Sequence, residues 1–432
     1  MIAQRFLTLL VTIALVVPGL CFDRTKRGRA GALLGFIAAA VGIAASREVA
    51  DDVDGYGFAS VDGAFRGMPV DLWLAWAALW GALPVLYRRV LPLPVAMGIL
   101  LWLDLTALQL LHPLVQLERN WLPAELVSIL AIALPAALVG RWTADRRRLG
   151  ARIALQMAVF AGATLWLLPT IAFEYGDGAW TNLTELPRWA MLAIAQLAFL
   201  LSLPALLAVY EFAVRGNGTP YPWDPPDRLV TTGPYAYVGN PMQLSAVALL
   251  ALLAATTQSL ALAAGVGAAI AFGIGVADPH ERYYLATTYG KVWRTYDGMV
   301  PNWWPRWRPY ATGPPATLWL DDNCTACRAI RDFLAERDPQ RLVLAPAHLH
   351  RPTLWRARYV SGDGHQENGV AAIARGLEHL HLGWAFVGWF LRLPGVRWLA
   401  QLVADAMIAA PHAAAVGPAQ GGGCPPTPSS GC

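Results

Sequence analysis

Charged side chains are scarce in this chain. Only 14% of its 432 residues are Asp, Glu, Lys or Arg, where a soluble domain carries roughly a quarter. With 56% hydrophobic residues, that scarcity excludes an ordinary soluble protein and points to a membrane one. Excess charge of one sign is also missing. A net +4 is too small and too unevenly placed for nucleic-acid binding, so it bears on topology instead. Cysteine is sparse, at five residues. Aromatics, by contrast, are abundant. Nineteen tryptophans, with Trp and Tyr crowding the ends of apolar runs, fit an interfacial belt. The length allows two or three domains.

Long apolar runs predict nine transmembrane helices, near 6–22, 31–46, 69–87, 90–111, 122–140, 151–173, 189–213, 242–256 and 259–277, the second and eighth being short. Charge in the connections alternates. Arg24, Lys26, Arg27 and Arg29 follow the first span, Arg88 and Arg89 the third, and Arg141, Arg146, Arg147 and Arg148 the fifth. Glu48, Asp51, Asp52, Asp54 and Asp62 follow the second, and Glu174, Asp177 and Glu185 the sixth. Cytoplasmic loops hold the excess Lys and Arg, so the N-terminus is expected outside and the C-terminal part in the cytoplasm, as in a bacterial inner membrane. Two features read either way. The first span, preceded by Arg5, is a helix or a cleaved signal peptide. DDVDG at 51–55 is a solvated loop or the start of a calcium loop. Asp104 lies inside the fourth span, where a charge costs about 2.5–3.5 kcal/mol on insertion scales. It is either functional, or paired or protonated.

Two polar, aromatic segments bracket the last apolar pair: YPWDPPDRLVTTGPYAYVGNPMQ (221–243) and ADPHERYYLATTYGKVWRTYDGMVPNWWP (277–305). Between them lie about 34 uncharged residues with TTQS (256–259) as the turn. Gly233-Pro234-Tyr235 and Asn240-Pro241 force turns. Such turns are expected to leave backbone groups free for a ligand, which a regular transmembrane helix does not. Leu229, Val230, Gly233, Pro234, Tyr235, Asn240, Pro241 and Met242, then Glu281, Leu285, Tyr289, Gly290, Tyr296, Val300, Pro301 and Pro305, fall in the order of two family motifs. Over about 150–310 the chain thus resembles the isoprenylcysteine carboxyl methyltransferase and phospholipid methyltransferase family of integral-membrane enzymes. That resemblance implies S-adenosylmethionine as cofactor, with Tyr235, Asn240, Pro241 and Glu281 lining its pocket and a lipid-phase or lipidated acceptor. Three positions depart from the pattern. Gly239 stands where the family has Arg, Gln243 where it has an aromatic, and Arg282 where a second acidic residue is frequent. Arg282 or Arg228 could replace the lost carboxylate clamp.

After TGPP (312–315) the composition becomes that of a small soluble domain. ATLWL (316–320) and RLVLAP (341–346) read as strands, and DDNCTACRAIRDFLAER (321–337) as a turn and helix. Cys324-x-x-Cys327 between strand and helix is a redox signature. The first thiol sits near a helix N-terminus, whose dipole favours thiolate, and the second can resolve a mixed disulfide. Cys324 is expected on the exposed side of the turn and to react first, with Arg328 adding positive charge nearby. The competing zinc reading needs Cys424 and Cys432, which lack metal-like spacing. Over 316–410 the chain resembles the DCC thiol-disulfide oxidoreductase family. Asp321, Cys324 and Cys327 stand at the defining positions, and Gly369 and Leu393-Pro394-Gly395 fit the downstream pattern. Asp322 replaces the usual Gly, which tightens the turn or raises a thiol pKa. His348, His350, His379 and His381 read as surface residues rather than ligands, and 411–432 as a disordered tail.

The expected fold class is therefore an α-helical integral membrane protein of about nine transmembrane helices with a C-terminal small α/β thioredoxin-like domain. Its parts are N-terminal helices (1–149), a methyltransferase-like domain (150–310), a thioredoxin-like domain (316–410) and the tail. The leading functional expectation is S-adenosylmethionine-dependent methyl transfer with a fused redox domain, Cys324, Cys327 and Asp321 carrying the redox chemistry with a thiol partner. The first alternative is a membrane-tethered oxidoreductase on a degenerate methyltransferase scaffold. A non-catalytic scaffold or carrier is the second.

Overall fold

The computed structural model describes residues 2–48 and 55–414, so the acidic run 51–54 and residues 415–432 of the expected tail lie outside the described residues. The chain is 66% helical and forms two compact units. The first comprises Met1–Ser202, Val209–Val230 and Ser245–Thr287; the second comprises Leu203–Ala208, Thr231–Leu244 and Thr288–Cys432.

The described residues form nine apolar helices in chain order: α1 (Ile2–Phe22), α2 (Lys26–Ser46), α3 (Val70–Leu86), α4 (Leu93–Leu110), α5 (Trp121–Asp145), α6 (Leu149–Tyr175), α7 (Arg188–Gly216), α8 (Pro241–Thr257) and α9 (Leu260–Asp297). Among the described residues, seven are long and apolar enough to cross a membrane, while α3 and α8 are shorter. Each expected span falls on a helix, but the third is short where the second was expected to be. Wide π-type turns interrupt α3 (Ala78–Ala82), α5 (Ile129–Ala133), α6 (Ala163–Leu167) and α9 (Gly273–Ala277). Each is followed two residues on by a proline: Pro84, Pro135, Pro169 and Pro279. Proline lacks the N–H and crowds the carbonyl four residues back, so the helix widens just before it.

The first unit alternates in direction, and ion pairs tie its helix ends together. At one end, Arg88 after α3 pairs with Asp23 after α1 and with Asp145 of α5 at 2.9 Å. Arg146 reaches Asp224 at 3.2 Å and Asp227 at 2.8 Å in the loop after α7, and Arg152 joins Asp224 at 3.0 Å. The basic connections therefore share one end. At the other, Arg5 of α1 meets Asp71 of α3 at 2.6 Å. There Asp177, after α6, accepts the N–H groups of Leu260 (2.9 Å) and Ala261 (2.8 Å), capping α9. The expected turn between α8 and α9 is present, with Gln258 at φ 55° and Ser259 as the N-cap.

Small residues make α2 the centre. A Cβ at Gly31 would lie 2.5 Å from the Gly140 carbonyl oxygen, and one at Gly35 2.5 Å from that of Gly81. This close backbone approach is what glycines four apart permit between membrane helices. Beside it, Trp76 stacks on Trp80 with ring centroids 5.9 Å apart. The Trp80 indole donates to Asp104 at 2.9 Å, whose carboxyl also faces that of Glu125. The Tyr56 hydroxyl donates to Glu125. Asp104 is thus paired, one of the two readings open from sequence.

The second unit contains a four-stranded sheet, β5 (Ala316–Leu320), β6 (Leu342–Pro346), β7 (Arg358–Val360) and β8 (Gln366–Asn368), after four short strands earlier in the chain. Its order is β6-β5-β7-β8. β5 and β6 are parallel with Leu318 opposite Leu344; β7 is antiparallel to both β5 and β8, with Tyr359 opposite Leu318 and Glu367. Ala316, Leu318 and Leu320 alternate into the core with Leu334, Ala372 and Leu377. Helices α10 (Thr325–Ala335), α11 (Val370–Leu377), α12 (Leu382–Arg392) and α13 (Pro394–Val403) complete it. A buried quartet joins β8, α11 and α12. Arg375 reaches Glu367 (2.9 Å) and Glu378 (3.0 Å), and Arg392 reaches Glu378 (2.7 Å) and Glu367 (3.1 Å). Glu367 is held down at about 2: burial opposes ionisation, but His365, Arg375 and Arg392 outweigh it.

Candidate functional site

The thiol pair lies where strand becomes helix. β5 ends at Leu320 and Asp321 follows; its Oδ1 accepts the Asn323 N–H at 2.9 Å, an Asx-type turn that points the chain into α10. Cys324 is the N-cap of α10, extended at φ −94°, and its Sγ accepts the Cys327 N–H at 3.4 Å. Helix N-termini carry unpaired N–H groups and a partial positive charge, and the Cys324 sulfur sits on one of those N–H groups. Cys327, one turn on, has its thiol pushed up to about 12, by burial first and then by the Cys324 side chain. One expectation is corrected: Cys324 is the more buried thiol, 8% exposed, and Cys327 is half-buried. A capping side chain must turn back over the helix end, which takes Cys324 inward.

The C-terminal segment adds a residue that sequence reading missed. His412 was assigned to the tail, yet its Nε2 lies 2.7 Å from Asp321 Oδ2 and its Nδ1 2.8 Å from the Ala410 carbonyl oxygen. Both ring nitrogens face acceptors, so the imidazolium is favoured; the Ala410 carbonyl and then Asp321 raise the His412 pKa. Ala414 donates its N–H to the Leu354 carbonyl at 2.9 Å, so the folded part extends past the expected boundary at 410. No spacing pattern links a lone His to an Asp 91 positions earlier.

A cavity of about 340 Å³ opens beside these groups, walled by Cys324, Cys327, Ile330, Leu354, Ile373 and Leu391 among others. Gly369, at φ 61°, leads into α11, and a Cβ there would lie 2.0 Å from Gln401 Oε1. That same oxygen accepts the Val370 N–H at 2.8 Å, so the close approach requires glycine. Pro394 opens α13. Asp322 instead pairs with Arg331 and lies 3.8 Å from His348. The paired histidines are each half-buried. The rings of His379 and His350 have neighbours: Tyr359 OH lies 2.9 Å from His379 Nε2, and His350 meets Trp319 edge-on.

The residues expected around S-adenosylmethionine are divided between the units. Glu281 and Arg282 lie in the first, exposed on α9; Tyr235, Asn240 and Pro241 lie in the second. Within the second, residues from the two motifs are stitched together. Gly239 donates its N–H to Pro301 O (2.9 Å), Asn240 to Asn302 O (3.2 Å), and Tyr296 its hydroxyl to Tyr235 O (2.7 Å). Arg306 and Tyr310 donate to the carbonyls of Tyr237 and Ala236. The expectation that these turns leave backbone groups free is therefore corrected: the chain itself takes them. Tyr237 also donates to the Glu378 carbonyl at 2.8 Å and meets Trp389 edge-on, so this stretch anchors the α/β elements. A Cβ at Gly239 would fall 2.4 Å from Asn302 Oδ1 and 3.1 Å from its Cα, which explains why no Arg stands there. Gly290, at φ 56°, breaks α9 within the second motif.

No family model, curated protein or solved structure matches the chain. What the site does must come from its chemistry. Asp321, Cys324 and Cys327 were legible because they are close in sequence; His412, the cavity and the Arg–Glu quartet were not, because folding assembles them from distant segments.

Proposed function

We propose that the second unit is a thioredoxin-like domain performing thiol–disulfide exchange through Cys324 and Cys327, tethered by the helical part to a membrane. The observation that carries this is the capping geometry: Cys324 Sγ on the Cys327 N–H, beside a Cys327 thiol kept protonated. The sheet order, a parallel β-α-β pair followed by an antiparallel hairpin, supports the thioredoxin-like assignment. In the reaction, Cys324 thiolate attacks one sulfur of a substrate disulfide, forming a mixed disulfide and releasing the other half as thiolate. Cys327 then loses its proton and attacks Cys324 Sγ. The enzyme disulfide forms, the second substrate thiol leaves, and two electrons have passed to substrate. His412, an imidazolium held on Asp321 beside the cavity that both sulfurs line, can give a proton to a leaving thiolate, and the Cys327 proton passes to solvent. With basic loops at one end of the first unit, the cytoplasmic side is assigned to that end and the N-terminus to the outside. Purified full-length protein, reduced and desalted, should convert a soluble disulfide such as bis(2-hydroxyethyl) disulfide to thiol in one stoichiometric turnover. Cys324→Ser should abolish this, and Cys327→Ser should stop at the mixed disulfide. Equal turnover by the Cys324→Ser variant would refute the assignment.

Methyl transfer is the second reading, favoured by the convergence of residues from two motifs about 60 positions apart in sequence. Tyr235, Asn240 and Pro241, all in the second unit, would line an S-adenosylmethionine site, and the cofactor would supply a methyl group on sulfonium. The fit is poor at Gly239 and Asn240, whose N–H groups are spent on Pro301 and Asn302. This reading therefore takes second place.

A further inference from the structure

The cavity beside the thiols is unlike an ordinary gap in a core. At about 340 Å³ it reaches the lower end of the ~300–1,000 Å³ typical of small-molecule sites, whereas native cores hold few voids larger than a water. Its wall combines reactive sulfur with hydrocarbon: Cys324 and Cys327 on one side, Ile373, Leu391, Val403 and Ile408 on others. The polar side chains at its edge are largely engaged with each other. Arg356 holds Asp405 through two hydrogen bonds of 3.0 and 2.6 Å. Gln401 spans the Val370 N–H (2.8 Å) and Asp405 (2.7 Å). The Asp321–His412 couple lines the same cavity as the two sulfurs.

Resting on the exchange reading above, we propose that this cavity is the substrate site, and that it selects a small, neutral, apolar disulfide or its thiol. The reasoning is desolvation. A peptide or a charged disulfide placed there would bury polar groups whose partners are already taken, which disfavours each unpaired group and a charge most of all. An apolar group gains on entry in proportion to the area it removes from water. With its hydrocarbon in the cavity, the ligand presents its sulfur–sulfur bond to the wall that bears Cys324. The thiolate then forms one new S–S bond as the substrate S–S bond breaks. The departing thiolate receives its proton beside the Asp321–His412 couple.

The test uses full-length protein in detergent with Cys21, Cys424 and Cys432 changed to Ser, so that only the two site thiols react. Stopped-flow rates are measured with neutral aromatic 2,2′-dithiodipyridine, dianionic 5,5′-dithiobis(2-nitrobenzoate) and small polar bis(2-hydroxyethyl) disulfide. Each is divided by the rate with an unstructured cysteine peptide. The normalised rate for the neutral aromatic probe should exceed both others by about tenfold or more. Ala404→Phe, which fills the cavity, should remove that preference while leaving the hydroxyethyl rate within about twofold. Should that variant misfold, unreactive diphenyl sulfide gives the same readout on the unfilled protein: it should slow the aromatic probe and spare the hydroxyethyl one. Reaction with all three probes without preference, and without competition, overturns the cavity assignment while leaving exchange intact. Reaction with none overturns exchange and this inference together.

Discussion

The Cys327 thiol gives a prediction whose size follows from the site. A free cysteine titrates near 8.5; burial, then the neighbouring Cys324, push Cys327 to about 12. Below both values the thiolate fractions differ by about 3.5 powers of ten, or roughly three-thousandfold. The more basic thiolate is intrinsically more nucleophilic, with a Brønsted slope of about 0.4–0.5, which returns roughly fortyfold. Cys327 should therefore alkylate about a hundredfold more slowly than a reference peptide at neutral pH, and partial burial slows it further. Its rate should go on rising with pH well after the reference has levelled off. Pulsed iodoacetamide labelling of reduced full-length protein, with each cysteine peptide quantified by mass spectrometry, reads initial rates at both sites. Cys324 should label first, from its position at the helix N-terminus, although it is the more buried of the two. A Cys327 rate within tenfold of the reference, or above that of Cys324, would refute the reasoning.

His412→Ala should slow closure of the Cys324–Cys327 disulfide by about three- to tenfold in rapid-quench experiments, because the Asp321 charge then opposes Cys327 ionisation without its counter-ion. His412 has a raised pKa, so its charged form is complete below about 6.5 and is lost as pH rises through the higher folded value; the difference between variant and parent should fade there. Glu367 is held near 2, so the stability that its ionisation contributes, about 3 kcal/mol, is present above about 4.5 and lost as pH falls toward 2. Hydrogen exchange over 370–392 should follow that loss, and Glu367→Gln should weaken protection at neutral pH and flatten the acid dependence; a parent protein with pH-independent protection contradicts it. If the chain binds S-adenosylmethionine, calorimetry on Glu281→Ala should show a loss of about ten- to a hundredfold, from roughly 1.5–3 kcal/mol for a charged hydrogen-bond partner. No binding by the parent at millimolar cofactor eliminates the methyltransferase reading. A cysteine placed at Asp62 should label from outside intact cells and one at Arg147 should not; the reverse pattern overturns the orientation.

What the sequence determined by itself was everything carried by periodicity and near neighbours. Apolar runs located the long apolar helices, seven of which among the described residues could cross a membrane, because a stretch that must hide its backbone from lipid shows its length in composition alone. The basic and acidic connections read from sequence are the ones whose Arg88, Arg146 and Asp177 tie helix ends together. Cys324 and Cys327 were legible because one helical turn brings residues three apart together. The tertiary structure decided what chain distance conceals. It set Asp104 against Glu125, closed the Arg375–Arg392 quartet on Glu367 and Glu378, and brought His412 onto Asp321 across 91 positions. It also spent the backbone donors of Gly239 and Asn240 within the chain, where proline and glycine alone had suggested open turns. Composition and spacing report which groups need partners. Only packing determines which partners they find, because a buried polar group takes whatever donor or acceptor the fold sets beside it.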